Sequence, residues 1–329
     1  MNYFQLLYDA ADYGLRIYKQ LSFIKSFLLP KVDAACNAYG YHPSKKEKDK
    51  IRFYYPLFNH VVNCETYLTI KNRGLTRSET ERLALVSVSA TLYDDFIDEE
   101  KWSSEMLVEI FEKRIPMVSR TPKINVLMAI DDELKRIYNP TDFYNYSLKL
   151  AIDWQITSAK QLDGNITLEE ILYISKEKCG NSSLLWASIL DENWTDKDKR
   201  FIHQSGFVGQ LINDAYDAIK DIQDGGYTYI RKATSVAEAK EIFIQECRNL
   251  NQTVTDCDVP TKNKLKTIRR MACIHAFGLV ALEHLQKIDE KYAKPIDWQN
   301  VKRSDLITDM DFWSNRLSVF KYAVFLSKL

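Results

Sequence analysis

Apolar residues recur every three or four positions along most of the chain, which is the period of an α-helix with one buried face. The run LALVSVSATLYDDFIDEE (residues 83–100) is a clear instance, and residues 201–222 show the same pattern. Only 10 of the 329 residues are glycine and 8 are proline, so few positions should interrupt the helices. The pattern predicts an all-α protein, a large helical bundle of about ten to twelve helices.

Capping boxes mark the starts of three predicted helices. In a capping box, a Ser or Thr side chain and an acidic side chain three residues later satisfy free backbone N–H groups. Thr76–Glu79 opens the helix that ends in DDFID, Thr167–Glu170 opens a second helix, and Thr195–Asp198 is a weaker version before a third. The prolines that follow Asn139 and Val259 predict breaks between helices.

The chain shows no repeat, no low-complexity tract and no Gly/Ser linker. Its most polar stretch, Tyr39–Lys50, is predicted to be a solvated connection between helices. Because nothing in the sequence divides the chain, we expect a single helical domain over residues 1–329.

Composition and charge exclude some classes of function. Hydrophobic residues make up 46%, and 45 basic side chains balance 45 acidic ones. A nucleic-acid-binding protein would usually carry a basic excess. No signal peptide opens the chain, and no apolar run approaches the ~18 residues that suggest a membrane span. Six cysteines are scattered without a CxxC pair, so we expect reduced thiols in a cytoplasmic protein.

An acidic cluster ends the predicted helix at residues 83–100. Positions three or four apart share a helix face, so Ser87, Ala90, Asp94 and Asp98 form one stripe with the apolar residues before them. Asp95 lies about 100° around the helix from Asp94. We therefore expect Asp94 and Asp98 to point inward, beside small residues that leave space.

A second acidic cluster lies in LINDAYDAIKDIQDGG, residues 211–226. Asn213, Asp217 and Asp221 are spaced four apart, which places them on one face of a helix. Gly206 and Gln210 lie upstream on or near that face. Small or polar residues thus again line up with acids on a helix that is otherwise apolar.

Two interpretations of these clusters compete. Acidic helix ends are commonly solvated, and either cluster alone is most simply structural. Carboxylates gathered on inward faces, however, would repel one another and be costly to desolvate. A divalent cation removes that conflict, and Mg²⁺ takes oxygen ligands and shares its coordination shell with substrate phosphates. Two clusters of this kind favour a metal and diphosphate site.

The two clusters resemble the aspartate-rich motifs of the class I isoprenoid synthases, a superfamily of trans-polyprenyl diphosphate synthases, terpene cyclases and squalene or phytoene synthases. DDFID is similar to the first motif, DDxxD. NDAYD, residues 213–217, resembles a second DDxxD with Asn at its head, whereas residues 213–221, N-x-x-x-D-x-x-x-D, resemble the metal triad of terpene cyclases. The resemblance spans roughly residues 45–235. It implies a helical bundle with a central active-site cavity, a prenyl diphosphate substrate and three Mg²⁺ ions bound with the diphosphate. The implied metal ligands are Asp94, Asp95, Asp98, Asn213, Asp217 and Asp221.

The resemblance also implies residues that contact the substrate. Lys178 falls on a family lysine that contacts diphosphate, and Lys232 is a second choice for such a role. Aromatic walls suit a carbocation because ring faces attract cations. The remaining candidates for substrate binding are Lys50, Arg52, Tyr93, Phe96, Gln161, Phe207, Gln210 and Tyr216.

Three functions follow from the resemblance. The first is a Mg²⁺-dependent class I terpene synthase, which ionises an allylic prenyl diphosphate to a carbocation that is cyclised or quenched. The second is a prenyltransferase that elongates a chain or couples two like units. The glycine-rich segment and the arginine pair with which polyprenyl synthases bind their second substrate are missing from this sequence. The third is a non-catalytic regulatory homologue. A homodimer is compatible with each.

Overall fold

The computed structural model describes residues 3–100, 102, 104–111, 115–116, 119–291, 298 and 301–329. Throughout this part of the chain the regular structure is helical and no strand occurs, which confirms the all-α class. The elements comprise α1 (Tyr3–Phe23, a π-helical segment Ile24–Leu28, and Leu29–Tyr39) and α2 (Lys45–Asp49, Lys50–Tyr54, Tyr55–Leu57, Phe58–Cys64 and Glu65–Ile70). There follow α3 (Arg77–Asp98), α4 (Ser104–Phe111), α5 (Pro122–Ile137), α6 (Asp142–Thr157), α7 (Leu168–Ser188) and α8 (Asp196–Tyr216). The last are α9 (Ala218–Gln223), α10 (Tyr229–Lys232), α11 (Val236–Asp256), α12 (Thr261–Asp289), α13 (Arg303–Leu306) and α14 (Trp313–Leu326).

The helix starts are fixed by the predicted capping boxes. At α3, Thr76 Oγ1 accepts from the backbone N–H of Glu79 at 3.2 Å, and the Glu79 carboxylate accepts from that of Thr76 at 2.8 Å. α7 and α8 begin with the same reciprocal pair at Thr167 and Thr195. The predicted breaks are also confirmed, because residues 138–141 and 257–260 are not helical.

A fourth capping box corrects the prediction for Tyr39–Lys50. Ser44 and Glu47 cap each other's backbone and start α2 at Lys45. α1 ends at Tyr39 and is capped by Gly40, whose φ of 65° lies in the left-handed region. Only residues 40–44 therefore connect the two helices, a shorter link than the polar composition indicates.

The bundle is built around α12 and the pair α7–α8. α12 packs on α1, α2, α8, α11 and α14, while α7 packs on α6 and α8 and α3 packs on α5. Arg270 of α12 is buried, donates to Thr69 Oγ1 at 2.7 Å and pairs with Asp12. Those contacts join α1, α2 and α12 through one buried charge. Among the described helices, none is long and apolar enough to cross a bilayer.

Close packing of α7 on α8 requires glycine at one position. A Cβ on Gly206 would overlap the backbone carbonyl of Cys179. The two helix backbones therefore approach directly, and this contact holds residues 178–182 of α7 beside residues 206–214 of α8.

Candidate active site

The first acidic segment lies in the last turn of α3. Lys50, at the start of a π-helical segment of α2, places its Nζ 2.8 Å from Asp94 Oδ2 and 2.6 Å from Asp95 Oδ1. The lysine was predicted to contact substrate, but in this structure it binds the aspartates. Burial lowers the pKa of Lys50, but the carboxylates of Asp94 and Asp95 outweigh it and hold that pKa above its ordinary value.

The burial of these aspartates differs from the predicted stripe. Asp95, expected to turn aside, is only 1% exposed, whereas Asp94 is half-buried. α3 is covered by α5 and by α2, so a residue about 100° from the first stripe is inside as well. Asp98 belongs to α3, but its side chain lies outside the described part of the structure.

A second lysine completes a charge network around Asp95. Lys123 Nζ lies 2.9 Å from Glu100 Oε1, 3.1 Å from Glu47 Oε1 and 3.8 Å from Asp95 Oδ2. Asp95 Oδ2 makes no hydrogen bond within the described residues. Burial raises the pKa of Asp95 although Lys50 and Lys123 lower it. We refer to Asp94, Asp95, Lys50 and Lys123 as the first acidic site. Lys50 pairs with both aspartates, whereas Lys123 is shared among Asp95, Glu47 and Glu100.

The second acidic segment is interrupted by a bend. The spacing of four predicts that Asn213, Asp217 and Asp221 share one helix. Instead, α8 ends at Tyr216 and α9 begins at Ala218, so Asp217 stands between two helices. Asn213 Nδ2 lies 3.4 Å from Asp217 Oδ2. Asp221 lies one turn further on, in α9. The three predicted ligands are therefore consecutive along the chain but not on one straight helix.

Asp214, which the sequence analysis does not single out, is the most buried acid of this segment. Gln210 Nε2 donates to its Oδ1 at 2.6 Å, and its Oδ2 has no partner among the described atoms. Burial, with the charge of Asp221 next, raises the pKa of Asp214 to about 8. Burial and the charge of Asp217 raise the pKa of Asp221 to about 7. Asn213, Asp214, Asp217 and Asp221 are the second acidic site.

Lys178 lies on the side of α7 that faces the second acidic site. Its charge lowers the pKa of both Asp214 and Asp221, though less than burial raises them. Its neighbour Cys179 donates from Sγ to Gln210 Oε1 at 2.7 Å. Lys176, two residues before Lys178, is half-buried, and its charge lowers the pKa of His203 instead. The charge of Lys178 therefore acts on the second acidic site, whereas that of Lys176 acts on His203.

A cavity of about 260 Å³ lies between α3, α5, α6 and α7. Its wall is largely apolar and aromatic, with Tyr93, Tyr144, Leu185 and Trp186 among its members, and Asp94 is part of it. Ser182 also lines the cavity, and its Oγ donates to the Lys178 carbonyl 2.8 Å away. Of the six predicted metal ligands, Asp94 alone is among the described residues that line this space.

The residue that follows α3 lies within electrostatic range of a lysine on α9. A hydrogen bond from Lys46 is the main reason that the pKa of Glu99 is lowered, and the charges of Lys50 and Lys220 lower it further. Glu99 follows α3, and Lys220 stands between Asp217 and Asp221 on α9. The end of α3 and the start of α9 are therefore within electrostatic range of each other.

The remaining predicted substrate residues lie elsewhere. Phe96 is fully buried against Trp102, with ring centroids 4.6 Å apart, and Phe207 is also core. Tyr216 is half-buried and donates to the Phe277 carbonyl at 3.3 Å. Arg52 is exposed. None of these four side chains lines the cavity described above.

Gln161 and Lys232 instead hold two turns together. Gln161 Nε2 donates to Ser175 Oγ at 3.3 Å, and the backbone carbonyl of Gln161 accepts from the backbone N–H of Tyr227 at 2.8 Å. Lys232 Nζ donates to the Gly164 carbonyl at 2.7 Å and lies 4.6 Å from the centre of the Tyr227 ring. The structure therefore gives Lys232 a local packing role.

The oxygen donors of the second acidic site suit a hard cation such as Mg²⁺. The orphaned Asp214 Oδ2 and the raised pKa values of Asp214 and Asp221 both indicate that the chain itself does little to stabilise the ionised form of these carboxyls. No group of three or more His, Cys, Asp or Glu side chains in the described ranges is arranged to hold a metal ion unaided. Water molecules or the oxygen atoms of a phosphate-bearing ligand would complete a coordination shell.

Comparisons of the chain with protein-family models, with curated proteins and with solved structures return no match. The resemblance to class I isoprenoid synthases therefore rests on the motifs in the sequence.

Proposed function

We propose that this protein is a Mg²⁺-dependent class I terpene synthase that ionises an allylic prenyl diphosphate. The observation that carries the proposal is the position of Asp94, whose carboxylate forms part of the wall of an apolar, aromatic cavity. The cavity, at about 260 Å³, approaches the lower end of small-molecule sites, roughly 300–1,000 Å³. A hydrocarbon chain in the cavity would bring its diphosphate to the carboxylate end.

The metal ligands in this proposal come from both acidic sites. Asp94 and Asp95 would supply oxygens from α3, while Asn213, Asp217 and Asp221 would supply them from α8 and α9. Mg²⁺ bound there would neutralise the charge that develops on the leaving diphosphate. Lys50 bridges Asp94 and Asp95, and its charge opposes the rise that burial causes in the pKa of Asp95.

In the reaction, the bond between the allylic carbon and the diphosphate oxygen breaks, and its electron pair leaves with the diphosphate. The allylic cation remains in the cavity, where the ring faces of Tyr93, Tyr144 and Trp186 would stabilise it and exclude water. Burial raises the pKa of Tyr93 and of Tyr144, so both phenols stay neutral. The ammonium of Lys178, one turn from the cavity wall at Ser182, would assist the leaving group.

One observation bears on each of the two alternatives. A prenyltransferase needs a site for a second diphosphate, and Lys50 and Arg52 are the cations proposed for it. Lys50 is paired with aspartates and Arg52 is exposed, which favours the cyclase. A non-catalytic homologue is supported by the lysine-balanced first acidic site, because that network accounts for buried aspartates without a metal.

The test is incubation of the pure protein with Mg²⁺ and allylic diphosphates of increasing chain length, with and without isopentenyl diphosphate. Products formed without isopentenyl diphosphate, and lost in Asp94→Ala, would support the synthase. A requirement for isopentenyl diphosphate would indicate chain elongation. Absence of turnover with every substrate, or full activity of Asp94→Ala, would contradict the proposal.

A further inference from the structure

Two adjacent helices expose aromatic and aliphatic side chains away from the proposed active site. α1 and α14 contact each other and both pack on α12. On α1, Tyr8, Leu15 and Tyr18 are 71%, 63% and 74% exposed. Their spacing places them on one face of the helix. On α14, Trp313 and Leu317 are 74% and 65% exposed, and both share a face with the partly exposed Phe320.

The exposed charges nearest these aromatic side chains are mostly basic. Between residues 4 and 30 the exposed charged side chains are Lys19 and Lys25. Of the acids of α1, Asp9 pairs with Arg269 at 3.0 Å and Asp12 pairs with Arg16 at 2.7 Å, while Asp33, near the end of the helix, is exposed.

Within α14 the exposed charges are Arg316 and Lys321, and Lys328 follows the helix. Arg316 pairs at 2.9 Å with Asp311, which precedes the helix, so within the described chain Lys321 and Lys328 supply the unpaired positive charge beside the stripe. By helical spacing, Arg316 flanks one side of the Trp313–Phe320 stripe, and Lys321 and Lys328 flank the other. This local bias contrasts with the balance of 45 basic and 45 acidic residues over the whole chain.

From this pattern we propose that the exposed faces of α1 and α14 bind the surface of an anionic lipid bilayer. Trp and Tyr rings are suited to the boundary between headgroups and acyl chains, and flanking lysines are attracted to anionic lipids. An amphipathic face of this kind lies on the membrane instead of crossing it. A second copy of the chain is a poorer partner, because a two-fold contact would bring the same basic side chains towards each other.

The experiment is co-sedimentation of the full chain with vesicles, without Mg²⁺ or prenyl diphosphate. Vesicles of mixed phosphatidylglycerol and phosphatidylcholine are compared with vesicles of phosphatidylcholine alone, each at low salt and at ~0.5 M NaCl. We expect binding to the phosphatidylglycerol vesicles at low salt, and much weaker binding under the other conditions.

Two double variants test the two components of the surface. Lys19→Glu with Lys321→Glu should weaken binding roughly 25-fold or more, since each basic residue near an anionic surface contributes roughly fivefold. Trp313→Ser with Leu317→Ser should weaken it about tenfold or more. The matched controls lie on α6, where Lys149 and Tyr146 are also exposed; Lys149→Glu and Tyr146→Ser should bind like the wild type.

Three results would overturn the proposal: no binding to phosphatidylglycerol vesicles, equal binding to both vesicle types, or equal effects of the α6 controls. A dimer in sedimentation equilibrium that Trp313→Ser with Leu317→Ser dissociates would also overturn it, by assigning the face to a second copy. Because neither metal nor substrate is present, these outcomes do not depend on whether the protein is a terpene synthase.

Discussion

The two acidic sites contain the same kind of side chain in opposite electrostatic conditions. In the first, Lys50 and Lys123 both lie near Asp95. Lys50 Nζ is within 2.8 Å of one carboxylate oxygen of Asp94 and one of Asp95. In the second, no lysine or arginine of the described chain forms an ion pair with Asp214, Asp217 or Asp221. An aspartate motif therefore does not by itself indicate a demand for metal, because neighbouring lysines can meet that demand.

The largest expected effect concerns the lysine of the first acidic site. Lys50→Met leaves the buried Asp95 charge without its nearest partner, and removal of one member of a buried pair typically costs about 3–5 kcal/mol of unfolding free energy. Urea denaturation measures this loss. Lys46→Met is the matched control, since Lys46 pairs with the exposed Glu99 at 2.5 Å, and it should cost no more than about 1 kcal/mol. Equal small losses in both variants would mean that Asp95 does not depend on Lys50.

The second acidic site should make stability depend on pH. The pKa is about 8 for Asp214 and about 7 for Asp221 in the folded protein, but about 4 for an unfolded aspartate. The folded state thus holds more protons than the unfolded state between about pH 4 and 8, so the unfolding free energy falls as the pH rises through that range. We expect a loss on the order of a few kcal/mol in metal-free protein with a chelator present.

Asp214→Asn should flatten this pH profile and stabilise the protein most above pH 8. Asp153→Asn, at an exposed position of α6, should leave the profile unchanged. Thermal unfolding from pH 5 to pH 9 makes the comparison. An unchanged slope in Asp214→Asn would show that this carboxyl is not protonated in the folded state at neutral pH.

Lys178 and Lys176 distinguish the two sides of α7. If Lys178 assists the leaving group, Lys178→Met should slow ionisation by about 3 kcal/mol, or ~10²-fold, as for loss of one preorganised donor. Lys176→Met should have little effect, because the charge of Lys176 acts on His203 and not on the acidic sites. The same substitution at Lys178 should raise the carboxyl pKa values of Asp214 and Asp221, which NMR titration measures without substrate. Unaltered pKa values of Asp214 and Asp221 would show that the charge of Lys178 does not act on the second acidic site.

The smallest effect is that of Mg²⁺ alone. At a concentration several times its dissociation constant, a cation that binds the folded protein adds about 1 kcal/mol. We expect this stabilisation at pH 8 in the wild type and in Asp94→Asn, because Lys50 already balances the first acidic site. Asp221→Asn should abolish it. Calorimetric melting of the three proteins with Mg²⁺ or with a chelator measures this stabilisation. If Asp94→Asn abolished it and Asp221→Asn retained it, the preferred metal site would lie on α3.

Local signals in the sequence predicted the helices well. Thr76, Thr167 and Thr195 start the helices expected of them, because a capping box depends only on residues within one turn. The box at Ser44 and Glu47 has the same signature and was available in the sequence. The polar composition around it obscured a helix start.

The acidic sites were only partly predictable, because their charges are balanced across long distances in the chain. Helical spacing identifies one stripe but not how many sides of α3 are covered, so it missed the burial of Asp95. Lys50 and Lys123 come from other helices, which periodicity cannot place. Asp214 left a weak local signal, since Gln210 stands four residues before it and donates to it. Nothing in the spacing of Asn213 and Asp217 indicated a bend.

The contact between Gly206 and the Cys179 carbonyl has a mechanical consequence. With no side chain between them, α7 and α8 cannot slide past each other without a collision of backbone atoms. Lys178, Asn213 and Asp214 therefore belong to one stiff unit. Asp221 stands beyond the bend at Asp217, on the short α9. The backbone distance between Asp221 and the carboxylates of α8 therefore changes by rotation of α9 about the bend at Asp217.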